Sequence, residues 1–202
     1  MPGRRLILAS ASPARRWLLE SAGLDPEVMV SHVPEDGVDH LAPPDAVAAL
    51  ARRKGDAVAS RLGGDGPSDA IVVACDSLLE FGGRVWGKAA GPAEVVDRWQ
   101  RFRGRSGLLH TGHHVIDAAS GHRATATDTA TVHFGTPSDD EIDAYAGTEE
   151  SRQVAGPFTL EGRSAPWIDR IEGNYGTITG ISLPLLRQLL GQLGVAIVDL
   201  WR

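Results

Sequence analysis

Ser10, Ser12, Arg15 and Arg16 crowd into the stretch "LASASPARR" near the start of the chain. Leu6–Ala9 before them reads as a short buried strand and Pro13–Ala22 after them as a helix. The four side chains therefore stand at a strand-to-helix turn, with Ser12 as N-cap and Pro13 at the first helical position. Two cations in the opening turn of a helix work against its positive dipole end, by a few tenths to about 1 kcal/mol. An anion held between the helix end and the guanidinium groups would remove that conflict.

More chemistry-bearing residues follow. Glu35 and Asp36 lie in the polar loop "HVPEDG". Lys54 falls on the apolar stripe of a helix, Asp76 at the carboxyl end of a buried strand, and Lys88 just after a hairpin. Cations from three segments and carboxylates from two suit a polyphosphate bound with a divalent metal. The cations would neutralise phosphate oxygens, while the carboxylates would hold Mg²⁺ or orient water for hydrolysis. Each residue also has a plainer reading. At least one of Arg15 and Arg16 is expected to be an ordinary surface residue, Lys54 could snorkel to the helix edge, and Asp76 could cap the next element.

Composition narrows the field. The chain has 202 residues, 42 % of them hydrophobic, enough for one large domain or two lobes sharing a site. No run approaches the length of a membrane span, and "MPGRRLILAS" lacks the apolar stretch of a signal peptide. Cys75 is the only cysteine, so an intrachain disulfide is impossible and a reducing, cytoplasmic setting fits. A net charge of −6 argues against a broad nucleic-acid surface, which needs a basic stripe. It leaves room for a small anion held by focused cations. Among 20 basic residues only Lys54 and Lys88 are lysine. Two compact ammonium groups amid Arg suggest positions where a planar fork would not serve.

The elements that must position these residues can be read in order. After the first strand and helix, Glu27–Ser31 reads as a second strand and "HVPEDGVDHLAPPD" as a Pro-rich loop. Asp45–Leu62 reads as a helix with Val47, Ala51, Lys54 and Val58 on one stripe. "RLGGDGPSD" is a turn, and "AIVVACDSLLEF" a continuous apolar strand of the kind covered on both faces. A hairpin at Gly82-Gly83, a helix Pro92–Phe102 and two long strands joined near Ser120-Gly121 come next. Ser138 opens a short helix with Glu141 at the capping-box position. Val154–Ile178 is Gly-rich and mixed, Ser182–Leu193 the last helix, and "VAIVDL" a last strand. The order predicts one α/β domain over residues 1–202, a mixed twisted sheet with flanking helices. Trp17, Leu18 and Leu19 are expected to face its core.

Other clusters are weaker. His110, His113 and His114 in "HTGHH" lack the helical spacing of a paired zinc site. Cys75 reads as a buried small hydrophobe. "GNYGTITG" lacks the Gly-Lys-Ser ending of a phosphate-binding P-loop.

Taken together these motifs resemble the Maf family of septum-formation-inhibitor proteins, nucleoside triphosphate pyrophosphatases, from "LILASASPARR" to "ITGISLPLLRQLL". The family's Leu-Ala-Ser-x-Ser-Pro-x-Arg is met by Leu8 to Arg15. Its acidic residue after the second strand is met by Glu35, and its Leu-Ala-x-x-Lys by "LARRK" ending at Lys54. Its Asp after a hydrophobic strand is met by Asp76, and its Gly-Lys-Pro by Gly87-Lys88 with Ala89 in place of Pro. "VAGPFTLEG", "RIEGNYGTITG" and "SLP" match its C-terminal region. The resemblance implies a two-lobed α/β fold around a deep cleft, often dimeric, that cuts a nucleoside triphosphate to a monophosphate and pyrophosphate. It implies Asp76 as general base or metal ligand, Glu35 as a ligand of Mg²⁺ or Mn²⁺, and Ser10, Ser12, Arg15, Lys54 and Lys88 on the phosphates.

Three positions separate the family's branches, and here they carry Ala14, Ser77 and Glu161. The dTTP/UTP-cleaving branch resembles Arg, Thr and Gln there, and the 7-methyl-GTP branch Trp, Gln and Glu. Only Glu161 matches either, so weak activity on dTTP and UTP is expected. A usual His after the third helix is replaced by Gly107, a change without a physical explanation. Two other functions remain open on the sequence. A nucleotide-binding regulator of division would need no positioned carboxylate base. A nucleotidyltransferase would need a second acceptor site, for which no residues suggest themselves.

Overall fold

A computed structural model describes residues 4–62, 69–154 and 156–202. Gly63–Ser68 of the expected turn, and Ala155 of the C-terminal motif, lie outside the described residues. The elements are β1 (Arg5–Leu8), α1 (Pro13–Ser21), β2 (Pro26–Val28), α2 (Pro43–Leu62), β3 (Ala70–Phe81), β4 (Arg84–Trp86) and α3 (Pro92–Phe102). Then come β5 (Ser106–Asp117), β6 (Arg123–Phe134), α4 (Asp139–Ala146), α5 (Glu150–Gln153), β7 (Ile168–Glu172), α6 (Tyr175–Thr179) and α7 (Leu183–Gln192). The strands form one sheet in the order β2-β1-β3-β5-β6-β7, with β4 on β3. β1 pairs parallel with both β2 and β3, while β3–β4 and β6–β7 are antiparallel, so the sheet is mixed as expected.

The chain divides into two compact units. One comprises Met1–Asp76, Thr111–Asp128 and Gly180–Arg202, the other Ser77–His110 and Thr129–Thr179. In the first, alternation along β1 and β3 sends side chains to two aliphatic layers. Leu6, Leu8, Ile71, Val73 and Cys75 pack with Leu18 and Leu19 of α1 and Leu186, Leu189 and Leu190 of α7. Ile7, Val72 and Ala74 pack with Val58 of α2 on the other side. Coverage on both faces is why these strands are apolar throughout. Gly112 in β5 lets α2 come close, since a Cβ there would sit 2.3 Å from the Val47 carbonyl oxygen.

The second unit is aromatic. Phe102 of α3 stacks on Phe134 of β6 at 5.1 Å between ring centroids, and Trp99 meets Phe134 edge-on at 5.7 Å. Trp99 buries its indole fully and donates its N–H to the Pro157 carbonyl at 2.9 Å, which removes the cost of an unpaired buried donor. Ser138 caps α4 through a complete capping box with Glu141.

Four local expectations are corrected. "VAIVDL" is not a strand, because Ile197–Leu200 winds into a 3-10 turn. Just after it, Trp201 forms an isolated bridge with Leu24, and Val198 is half exposed. Trp17 points outward while Leu18 and Leu19 are buried, because a nine-residue helix has only one buried stripe. The second strand spans Pro26–Val28 rather than Glu27–Ser31, ending where β1, its only partner among the described strands, ends. Asp76 lies inside β3 rather than at its end, since the hairpin with β4 extends that strand to Phe81.

Candidate functional site

The described first unit gathers most of the residues singled out in the sequence. β1 pairs with β3 as far as Leu8 opposite Val73, and the Ala9 amide still donates to the Val73 carbonyl at 2.8 Å. Ser10 and Asp76 therefore leave the parallel ladder at the same end, where ligands sit in open α/β sheets. Ser12 caps α1 by accepting from the Arg15 amide at 3.4 Å. Ser10 Oγ accepts from the Ser12 amide at 3.2 Å and from Arg15 Nη1 at 3.1 Å. Arg15 Nε donates to the Gly180 carbonyl at 2.8 Å. The guanidinium is thus folded back over its own helix end. Arg16 instead makes an exposed ion pair with Glu20 at 2.6 Å, the plain surface reading.

Lys54 neither snorkels nor stands alone. Its Nζ lies 2.6 Å from Glu35 Oε1 and 2.5 Å from Asp76 Oδ1, on a side chain that is only 11 % exposed. Val47, Ala51 and Val58 of α2 are fully buried, so the stripe that carries Lys54 is anchored and its ammonium is aimed. Burial pushes the Asp76 carboxyl above the ordinary aspartate value, while Lys54 and Arg15 pull it back only in part. Arg53, one residue before Lys54, donates to the Asp36 carbonyl at 2.6 Å and so ties the Glu35 loop to α2. That loop also contains His32 in the left-handed region at φ 55°, uncommon for a residue with a Cβ.

Sequence reasoning missed the support beneath Arg15. Gly180 has φ +112°, and a Cβ there would lie 2.9 Å from Arg15 Nε. Two residues on, the Ser182 amide donates to His113 Nε2 at 2.8 Å, and His113 Nδ1 pairs with the Thr111 carbonyl at 3.0 Å. Both ring nitrogens of this buried imidazole are used, and burial lowers its pKa to about 4. His114 faces the opposite side of β5, against Gly55 of α2. Gly180 does fall in the "ITG" of the quoted C-terminal pattern, the only sequence signal for it.

The remaining positions lie elsewhere. Lys88 is exposed in the loop after β4, in the second unit. Ala14 occupies the second helical position of α1 and Ser77 follows Asp76, both half-buried. Glu161 Oε1 accepts from the hydroxyls of Tyr175 at 2.9 Å and Thr179 at 2.6 Å, and Oε2 from Thr159 at 2.6 Å. Among the described residues no three His, Cys, Asp or Glu side chains cluster as a metal site. No described helix is long and apolar enough to cross a membrane.

Parallel strand ends topped by a helix N-terminus, with a cation and carboxylate cluster beside them, belong to a mixed α/β protein. Residues 5–193 match the family of Maf-like proteins, and the chain belongs to that family. Curated relatives agree in their names. A nucleoside triphosphate pyrophosphatase of Streptomyces coelicolor is 50 % identical over 99 % of this chain and 96 % of its own. Proteins of the same name from Salinispora tropica and Synechocystis are 49 % and 43 % identical, over 98 % and 96 % of this chain and 87 % and 97 % of theirs.

Proposed function

We propose that this protein is a nucleoside triphosphate pyrophosphatase, hydrolysing the α–β phosphoanhydride to give a monophosphate and pyrophosphate. The observation that carries the reading is the meeting of Asp76, Lys54 and Glu35 at the ladder end shared with the Ser10–Arg15 turn. The relatives' names and the family match support it. Because the match runs continuously through both units, residues 1–202 are taken to act as one functional domain.

In this reading water attacks the α-phosphorus and pyrophosphate departs with the electrons of the broken P–O bond. Asp76 takes the water's proton. Its raised affinity for protons suits a base, and the Lys54 ammonium on Oδ1 favours the ionised form beforehand. Ser10, Ser12 and Arg15, with the amides of the α1 N-terminus, hold phosphate oxygens. Lys88 is given a phosphate contact on the sequence pattern alone. Glu35 and Asp76 fit a divalent ion in donor chemistry, since two carboxylate oxygens already converge on one cation, the Lys54 ammonium. Mg²⁺ commonly takes one or two carboxylates and completes its shell with phosphate oxygens and water. Bound there, Mg²⁺ or Mn²⁺ would neutralise charge on the triphosphate. Glu161, an acceptor held by three hydroxyls, favours a base edge that donates hydrogen bonds, with dTTP and UTP cleaved weakly.

The test is pyrophosphate release from dTTP, UTP, CTP, GTP and 7-methyl-GTP with Mg²⁺ or Mn²⁺, for wild type and Asp76→Asn. Turnover in the wild type and a loss of at least about a thousandfold in the variant are expected. Tight nucleotide binding with no turnover on any substrate would instead make the protein a nucleotide-binding regulator.

A further inference from the structure

Arg98 is the one buried arginine among the described residues, only 4 % exposed on the inner side of α3. Its two Nη groups go to one short loop. Nη1 donates to the Gly87 carbonyl and Nη2 to the Lys88 carbonyl at 3.3 Å. Nη2 also pairs with Glu94 Oε1 at 2.5 Å, and Glu94 Oε2 accepts from the Ala90 amide at 2.7 Å. The guanidinium lies over the Trp86 ring at 5.3 Å. Among the described residues, every side-chain hydrogen bond of the Arg98–Glu94 pair to the backbone thus falls between Gly87 and Ala90, with Lys88 in between. Arg98 Nε has no hydrogen-bond partner among the described residues. A buried Arg that leaves a donor unsatisfied is costly as packing material. An aliphatic side chain would fill the same space without that cost, which leaves the fixed loop as the reason for a guanidinium.

We infer that Arg98, braced by Glu94, is a positioning residue for Lys88. It sets the backbone from which an otherwise flexible ammonium reaches its anion. The inference rests on the proposed role of Lys88 in triphosphate hydrolysis. Lys88 itself is exposed at the end of a long aliphatic stem. Fixing both flanking carbonyls removes the largest freedom that the loop could add to it.

A double-mutant cycle tests this. Pyrophosphate release would be measured on the full chain for wild type, Arg98→Gln, Lys88→Met and the double variant, with thermal unfolding recorded for each. Expected are a loss of about tenfold in kcat/KM for Arg98→Gln, a larger one for Lys88→Met, and less than twofold further loss when Arg98→Gln is added to Lys88→Met. Amide exchange at Ala90 should quicken in Arg98→Gln while the core strands keep their protection. Losses that multiply in the double variant would overturn the inference, since Arg98 would then act elsewhere. Full activity in Arg98→Gln would overturn it and leave Lys88 in place. Full activity in Lys88→Met would remove the reading beneath it. Should Arg98→Gln fail to fold, Glu94→Gln at the exposed end of the brace runs the same cycle, with a smaller loss and the same non-additivity.

Discussion

The two lysines of the chain are held in opposite ways. Lys54 projects from a 20-residue helix whose stripe is fully buried, and its ammonium is fixed by two carboxylates. Lys88 is exposed on a loop, and what is fixed there is its backbone, through a guanidinium from a neighbouring helix. The first unit settles its charge at the tip of the side chain, the second at the root. A tip fixed in part by a buried carboxylate contributes to stability. A root fixed by hydrogen bonds leaves the side chain mobile at little cost to the fold.

The sharpest way to break this comparison is to remove each ammonium in turn. Lys54→Met leaves the Asp76 and Glu35 carboxylates together without their cation, one of them buried. Breaking such a pair costs about 3 kcal/mol, and activity should fall by two to three orders of magnitude, on the order of 3–4 kcal/mol of transition-state stabilisation. Lys88→Met should lower activity while stability stays within about 0.5 kcal/mol, as for surface substitutions generally. Urea unfolding beside steady-state kinetics separates the two, and equal stability losses would erase the distinction. Asp76→Asn sharpens it further. The fold disfavours the ionised Asp76 despite Lys54, so this variant, expected to lose turnover, should melt at the wild-type temperature or above.

Much of this arrangement could be read in the chain, and the boundary is instructive. The Ser12-Pro13 start, the Lys54 stripe, the Gly82-Gly83 hairpin and the Ser138 capping box depend on contacts within a few residues, and each is found in place. The bond of Arg15 to Gly180 spans 165 residues and that of His113 to Ser182 spans 69. No local pattern encodes either. The "VAIVDL" segment shows the same limit from the other side. Its β-branched residues suit a strand, but whether a sheet edge is available depends on the rest of the fold.

His113 offers a pH-dependent probe of the support beneath Arg15. Its folded pKa of about 4 lies below the ordinary 6.5, chiefly through burial and also through the nearby Arg15, against a smaller opposing pull from the Thr111 carbonyl hydrogen bond and, least, from Asp128. The unfolded chain therefore takes up the proton first as pH falls. The stabilisation is full above about pH 6.5 and declines toward pH 4, by up to about 3 kcal/mol. Wild type should lose more melting temperature between pH 7 and pH 4.5 than His113→Gln does. Parallel curves would mean that another group governs acid stability.

Gly180→Ala acts on the same support from the other side. The substitution places a Cβ 2.9 Å from Arg15 Nε on a backbone at φ +112°. About 1–3 kcal/mol of stability should be lost, and KM should rise several-fold because Arg15 is displaced. A KM unchanged from wild type would detach Arg15 from substrate binding.

Arg16→Ala should do least, and it tests why two arginines open one helix. Arg16 pairs with Glu20 at an exposed i,i+4 spacing, worth about 0.3–0.5 kcal/mol. Its charge near the positive helix end costs a similar amount, so the two effects nearly cancel. Stability should move by less than about 0.5 kcal/mol and kcat/KM should not change. Arg15→Ala should raise KM about tenfold or more, equivalent to about 1.4 kcal/mol of lost binding. If both variants raise KM alike, the anion draws on both guanidinium groups, and the Glu20 pair is what Arg16 keeps only until the phosphate arrives.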